Sequence, residues 1–295
     1  MSDGSSGTTG YYGLPILKPP VWTWEVPAYF FVGGAAGAAA VIASAARMAG
    51  ARDDLVRDAR WIAAAGAALS PPLLIADLGR PERFLNMLRV FKIQSPMSVG
   101  AWTLVAFSNA SAAAAFCDAV DRATRGRVPV RTIGNAADTL AAATGLVLST
   151  YTGVLIGATA IPTWSENIRS LPVHFGASAV GSAVALLELM GHRDRALNVL
   201  GAGAAVVETL IGASIELGDG EALVPLKHDL SGTLTRFGGV LSGPVPLALR
   251  LAAGRSDRMR KAAAVATIAG SILTRVGWIA AGRASAASRA TEGME

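Results

Sequence analysis

Stretches of about 17 or more consecutive, almost wholly apolar residues recur along this chain, each long enough to cross a hydrocarbon layer of roughly 30 Å as a helix. They lie near 28–46, 60–76, 98–116, 137–160, 173–190, 198–215, 236–252 and 262–280. No other feature constrains the fold as strongly. Backbone polar groups at that depth must be satisfied within one helix or around a closed barrel. A barrel needs polarity that alternates along each strand, and these solid Ala, Leu, Val and Gly runs lack it. The chain is therefore predicted to be an all-α polytopic membrane protein with eight transmembrane helices. Its charged share agrees: 16% of the 295 residues, against roughly 25% in soluble domains.

An even number of crossings puts both termini on one side. Outside the spans, Arg47, Arg52, Arg57, Arg122, Arg125, Arg127, Arg131, Arg193, Arg195, Arg255, Arg258, Arg260 and Lys261 fall on one face. Lys and Arg accumulate on cytoplasmic loops, so this face is predicted to be cytoplasmic, in the cell's inner (plasma) membrane, with both termini extracytoplasmic. The net charge of +5 is thus read as an orientation signal, and nucleic acid is not an expected partner. The first 20 residues are Gly/Ser/Thr-rich, with no basic stretch leading into an apolar one, and do not read as a cleavable signal. The predicted organisation is an extracytoplasmic tail 1–27, four helices over 28–160, four more over 161–281 and a second tail 282–295.

One stretch opposes the charge rule. Asp77-Leu78-Gly79-Arg80-Pro81-Glu82-Arg83-Phe84 and the residues through Lys92 place Arg80, Arg83, Arg89 and Lys92 on the outer face, interleaved with Phe84, Leu85, Met87, Leu88, Val90 and Phe91. A basic amphipathic loop on that side suits a surface with a partner docked on it.

Resident redox groups find few ligands here. Bis-histidine haem needs two histidines at matching depth, and His174, His192 and His228 fall near the outside, near the inside and in an outer loop. The lone Cys117 excludes an internal disulfide and a cysteine-held iron–sulfur cluster, and is expected simply to pack. Metal-ligand spacing is missing as well.

Several polar groups converge instead near the outer face. Glu25 stands at a hydrocarbon boundary, where a carboxylate is costly unless paired or wetted. Asp77 and Arg80 close the second span. Tyr151 lies about nine residues before the fourth span exits, roughly 13 Å deep, too far in for a headgroup anchor. Trp22, Trp24 and Trp102 surround the set, while Trp22 and Tyr29 are each covered by the ordinary role of aromatic residues in the headgroup layer. Such groups suit a quinone, whose head needs hydrogen-bond donors, a proton-exchanging carboxylate and an apolar slot. The alternative is that Asp77 and Arg80 pair to close a helix end. In the second half, Glu188 near the inner end is expected to snorkel, and Glu208 is expected to pair with Arg275.

The motifs Lys18-Pro19-Pro20-Val21-Trp22-Thr23-Trp24-Glu25-Val26-Pro27-Ala28-Tyr29, Asp-Leu-Gly-Arg-Pro-Glu-Arg-Phe from Asp77, Ser95-Pro96-Met97-Ser98, Tyr151-Thr152-Gly153 and Arg275-Val276-Gly277-Trp278 resemble those of the NrfD/PsrC-type membrane subunits of polysulfide reductase and its relatives. The resemblance implies eight helices in two four-helix bundles, with a menaquinone or ubiquinone site near the outer face of the first. It also implies an extracytoplasmic ferredoxin-like partner carrying iron–sulfur clusters, itself usually bound to a molybdopterin catalytic subunit. Carried over by position, Glu25 and Tyr151 contribute to the quinone pocket; the reading of the residues themselves adds Trp22, Asp77, Arg80 and Trp102 to the candidate cofactor-binding set. Some relatives have an Asn and a His where this chain has Val21 and Glu25. Two other functions fit the composition: a structural anchor without quinone turnover, and a proton or small-solute transporter using Glu188, Glu208 and Arg275.

Overall fold

The computed structural model describes residues 20–78, 80–252 and 256–292. Most of the predicted N-terminal tail, with Lys18, lies outside them, as do Gly79, Arg255 and the side chains of Arg83 and Arg289. The described residues form helices and turns, with no strand. The longer helices are α1 (Glu25–Met48), α2 (Asp53–Asp77), α3 (Pro96–Ala123), α4 (Arg131–Gly157), α5 (Ser170–Leu189), α6 (Arg195–Leu217), α7 (Asp229–Ser242), α8 (Pro244–Ala252) and α9 (Asp257–Glu292).

Seven of these, all but α7 and α8, are long and apolar enough to cross a membrane. The predicted seventh span, 236–252, is divided: α7 stops at Ser242, Gly243 takes a non-helical ψ of −98°, and Pro244 opens α8. Proline suits a first helical position, where its missing N–H costs nothing. A Cβ on Gly243 would lie 2.8 Å from Thr209 Oγ1 and 2.9 Å from the Gly239 carbonyl, so the break also lets α7 press onto α6. The region predicted as a C-terminal tail is helical through Glu292 as the end of α9.

Small residues set the packing. In α1 the run from Gly33 to Ala40 is buried throughout, and without a hydrophobic force between helices in lipid such residues supply close van der Waals contact instead. At Gly37 and Gly145 the α1 and α4 backbones touch: a Cβ on Gly145 would sit 2.6 Å from the Gly37 carbonyl oxygen. Helix α1 also packs on α2 and α5, and α5 in turn on α6 and α9. Helix α2 stays unbroken through Pro71 and Pro72, with Ser70 Oγ donating to the Gly66 carbonyl at 2.7 Å. Ser95 caps α3, accepting from the Ser98 N–H at 3.4 Å, with Pro96 at the first helical position. Cys117 is buried against Gly134.

The buried charges have partners that differ from expectation. Glu188 does not snorkel. Arg250 of α8 grips it with two hydrogen bonds of 2.7 Å, and Gly201 leaves the guanidinium room. Glu208 does not pair with Arg275. Its Oε2 meets His174 Nε2 at 3.0 Å and accepts from Ser242 Oγ at 2.7 Å. Arg275 Nη1 donates to Ser178 Oγ at 2.8 Å and to Ser271. Its guanidinium lies over Phe31 and Phe175, 5.9 and 5.3 Å from their ring centroids. Asp138, 1% exposed, joins α1, α2 and α4 by holding Arg47 at 2.8 Å and Arg60 at 3.0 Å.

Candidate functional site

A cavity of about 110 Å³ opens among the first four helices. Trp22 comes from the segment before α1, and Val26, Tyr29 and Phe30, spaced three and four residues apart on one helix face, come from its first turns. The end of α2 gives Leu74, Asp77 and Leu78, α3 gives Met97, Gly100 and Ala101, α4 gives Tyr151 and Leu155, and the short helix Phe84–Met87 gives Met87. Tyr151 reaches the cavity because Gly100 has no side chain; a Cβ there would overlap the phenol ring. Tyr29 and Tyr151 are 3% and 7% exposed, and no hydrogen bond joins either hydroxyl to another described residue. Both can donate into the cavity.

Asp77 is the acceptor in the wall. Its Oδ1 takes the Thr23 N–H at 3.0 Å and lies 3.2 Å from the Thr23 hydroxyl, which also contacts Glu25. Asp77 and Glu25 are thus brought together through Thr23, with Asp77 in the cavity wall and the half-buried Glu25 behind it. The expected alternative, an Asp77–Arg80 pair, is not what closes α2: Thr23 takes that place and Arg80 is exposed.

Of the residues singled out in the sequence, Trp22, Asp77 and Tyr151 line the cavity, and Glu25 adjoins it. Arg80 and Trp102 stand apart. Trp102 meets Phe91 edge-on at 6.4 Å and so holds the basic loop to α3. Trp22 stacks on Trp164 at 5.5 Å, and Trp164 Nε1 donates to the Trp278 carbonyl at 2.8 Å, tying the wall to α9. Sequence reading missed Tyr29, taken as a headgroup anchor, together with Gly100, Met87 and Met97. The helix face shared by positions 26, 29 and 30 was the available signal for Tyr29.

The loop after Asp77 runs beside the cavity. Its exposed apolar residues Leu85, Val90, Phe91 and Ile93 alternate with Arg89 and Lys92, which are exposed as well. The Lys92 N–H bonds to Ser98 Oγ at 3.0 Å, fixing its end to α3. A larger cavity of about 520 Å³ lies at the opposite ends of these helices among Arg47, Arg57, Asp118, Asp121, Arg122 and Arg131. Its charges are matched within the chain: Arg131 with Asp121 at 3.0 Å, Arg122 with Asp118, Arg57 with Asp58 at 2.6 Å.

No group of three or more His, Cys, Asp or Glu side chains among the described residues is arranged to hold a metal ion. The small cavity offers two phenol donors and a carboxylate acceptor in an otherwise apolar slot, with a second carboxylate one residue away toward the surface. That set can bind a flat apolar molecule bearing carbonyl oxygens and exchange protons with it. Among curated proteins no match is found. A family model described as polysulphide reductase, NrfD, matches residues 16–283.

Proposed function

The chain belongs to the polysulphide reductase NrfD family and is a multi-pass membrane protein, and from that premise we propose that it is the quinone-reactive subunit of a multi-subunit oxidoreductase. It exchanges electrons between menaquinone or ubiquinone and a ferredoxin-like iron–sulfur partner, through which a molybdopterin subunit is served. The quinone is an exchangeable substrate. In this reading α7 and α8 together make one discontinuous crossing, giving eight, in two four-helix bundles divided near residue 160, with both termini outside the plasma membrane.

The observation that carries the proposal is the cavity in which Tyr29, Tyr151 and Asp77 meet around an apolar slot, beside an exposed basic loop. The two phenols bind and orient the carbonyl oxygens of the substrate. Asp77 holds or releases a proton at Oδ2, and Thr23 and Glu25 extend that path toward the surface. Trp22 and the two methionines shape the slot and exclude water. Arg80 and the residues through Lys92 meet acidic groups of the partner, with Trp102 bracing them.

Quinol-linked electron transfer in the purified complex tests this. Tyr151→Phe combined with Glu25→Gln is expected to lower it by about tenfold or more, tenfold corresponding to roughly 1.4 kcal/mol, the size of one lost hydrogen bond. Wild-type transfer in that variant would remove the site assignment. A complex that assembles fully but has no quinone-dependent activity in its wild-type form would mark the chain as a structural anchor.

A further inference from the structure

The second half contains a cavity that the proposed site leaves unused. It is a groove of about 400 Å³ between α6 and the divided pair α7–α8. Glu208, Thr209 and Pro244 line one end, at the helix break, and Glu216 and Arg236 the other. Glu208 lies nine residues before the end of α6 at Leu217, roughly 13 Å deep at 1.5 Å per residue. Between the ends the wall includes Gly212, Ala213, Gly239 and Val240. Leu210 and Phe237, each next in sequence to a lining residue, are 64% and 63% exposed, as suits a surface that faces lipid.

The polar chemistry of the deep end is one-sided. Trp278 Nε1, which can only donate, points at His174 Nδ1 at 3.2 Å. The ring hydrogen of His174 therefore sits on Nε2 and is directed at Glu208 Oε2, which also accepts from Ser242. Glu208 Oε1, buried, has no hydrogen-bond partner among the described residues. Thr209 already donates to the Ala205 carbonyl at 2.7 Å, and Thr235 to the Ser231 carbonyl at 2.8 Å. Among the groove's lining residues the deep end thus has one unpaired acceptor, Glu208 Oε1, while the Thr209 and Thr235 hydroxyls are committed to their own helices.

A ligand that completes it must bring its own donor, carry it about 13 Å below the headgroup layer, and be apolar elsewhere. Phospholipid head groups lie at the surface and do not meet the depth requirement. A quinone ring offers only acceptors. A quinol has two hydroxyl donors on an apolar ring with an apolar tail, and meets all three conditions. We propose that this groove is a second lipid-side site, selective for the reduced quinol, with Glu208 as the group that recognises its hydroxyl. The proposal rests on the reading that the protein works with the quinone pool, but it concerns different residues and binding alone.

The test is equilibrium titration of the full chain, purified in mild detergent with its co-purifying subunits, using duroquinol kept reduced under anaerobic conditions and, separately, duroquinone. Gly239 and Gly212 line the groove and a Cβ on either meets nothing within 4 Å, so Gly239→Phe and Gly212→Phe start from unobstructed positions and place a ring in the groove. Wild type is expected to bind two equivalents of duroquinol and one of duroquinone. Either glycine variant should keep one of each, and Glu208→Gln should weaken only the second duroquinol site, by about tenfold. Equal duroquinol stoichiometry in wild type and both glycine variants overturns the proposal, as does duroquinone binding in the groove as tightly as duroquinol. If Tyr151→Phe leaves both duroquinol equivalents intact while Gly239→Phe removes one, the first-half site is misassigned and the groove site stands.

Discussion

Gly100 decides where Tyr151 can sit, because the phenol occupies the space that any side chain at position 100 would need. Gly100→Ala is therefore expected to displace the ring and weaken duroquinone binding by about tenfold or more, as Tyr151→Phe does, whereas Gly203→Ala, where a Cβ meets nothing within 4 Å, leaves it unchanged. Titration of the purified complex distinguishes the two. Tyr151 was legible in the sequence because a tyrosine so far from a helix end needs a partner; Gly100 was not, because a glycine in a membrane helix reads as ordinary packing. The same limit explains the Glu208–Arg275 expectation. Sequence position gives depth along a helix but not the rotation about its axis, and it is rotation that hands Glu208 to His174 and Ser242 and turns Arg275 toward Ser178 and Phe175. Glu188 and Arg250 follow the same rule, and their bidentate pair is buried on both sides. Glu188→Gln leaves a buried guanidinium without its counter-charge and is expected to cost about 3–5 kcal/mol, read as a lowered unfolding temperature in detergent. The double change Glu188→Leu with Arg250→Met should recover most of that loss.

At the scale of the element, seven helices answer directly to apolar runs, and the eighth run does not make one helix. Hydropathy averages over a window and is insensitive to a single residue that cannot continue the helical hydrogen-bond pattern, so 236–252 reads as one span, although Gly243, Pro244 and Pro246 within it make it the least regular of the eight. The break has a packing cause as well, the contact of Gly243 with Thr209. Gly243→Ala is expected to push α7 away from α6 and cost about 1–3 kcal/mol. Gly239→Ala, one turn earlier and facing open space, should stay within about 0.5 kcal/mol of wild type. Thermal unfolding of the two variants side by side checks this. A broken helix also bears on the transporter alternative. Transporters built from repeats place discontinuous helices at corresponding positions of both halves, and here α3, the third long helix of the first half, runs unbroken from Pro96 to Ala123.

Across the whole molecule, the small cavity and the basic loop are neighbours because the loop is the continuation of α2, whose last turn supplies Asp77. Met87 reaches back from that loop into the cavity wall, while Leu85, Val90, Phe91 and Ile93 stay exposed around Arg89 and Lys92. Exposed apolar side chains rimmed by charged ones mark protein or membrane interaction sites, and the proposed function takes this one as the partner's. The loop is also held in place, by Phe91 against Trp102 and by Lys92 against Ser98, so a partner would meet a preformed surface and pay little to order it. Arg89→Glu with Lys92→Glu reverses the rim charge without touching a cavity residue. The expected result is loss of the iron–sulfur partner on affinity purification at moderate salt, with duroquinone titration of the remaining chain unchanged. Trp102→Ala should act in the same direction but less completely, since it frees the loop and leaves its charges. Were the partner to co-purify at wild-type stoichiometry with the doubly reversed loop, the landing surface would have to lie elsewhere on the outer face; were quinone binding lost along with the partner, the loop would be part of the pocket and not a separate surface beside it.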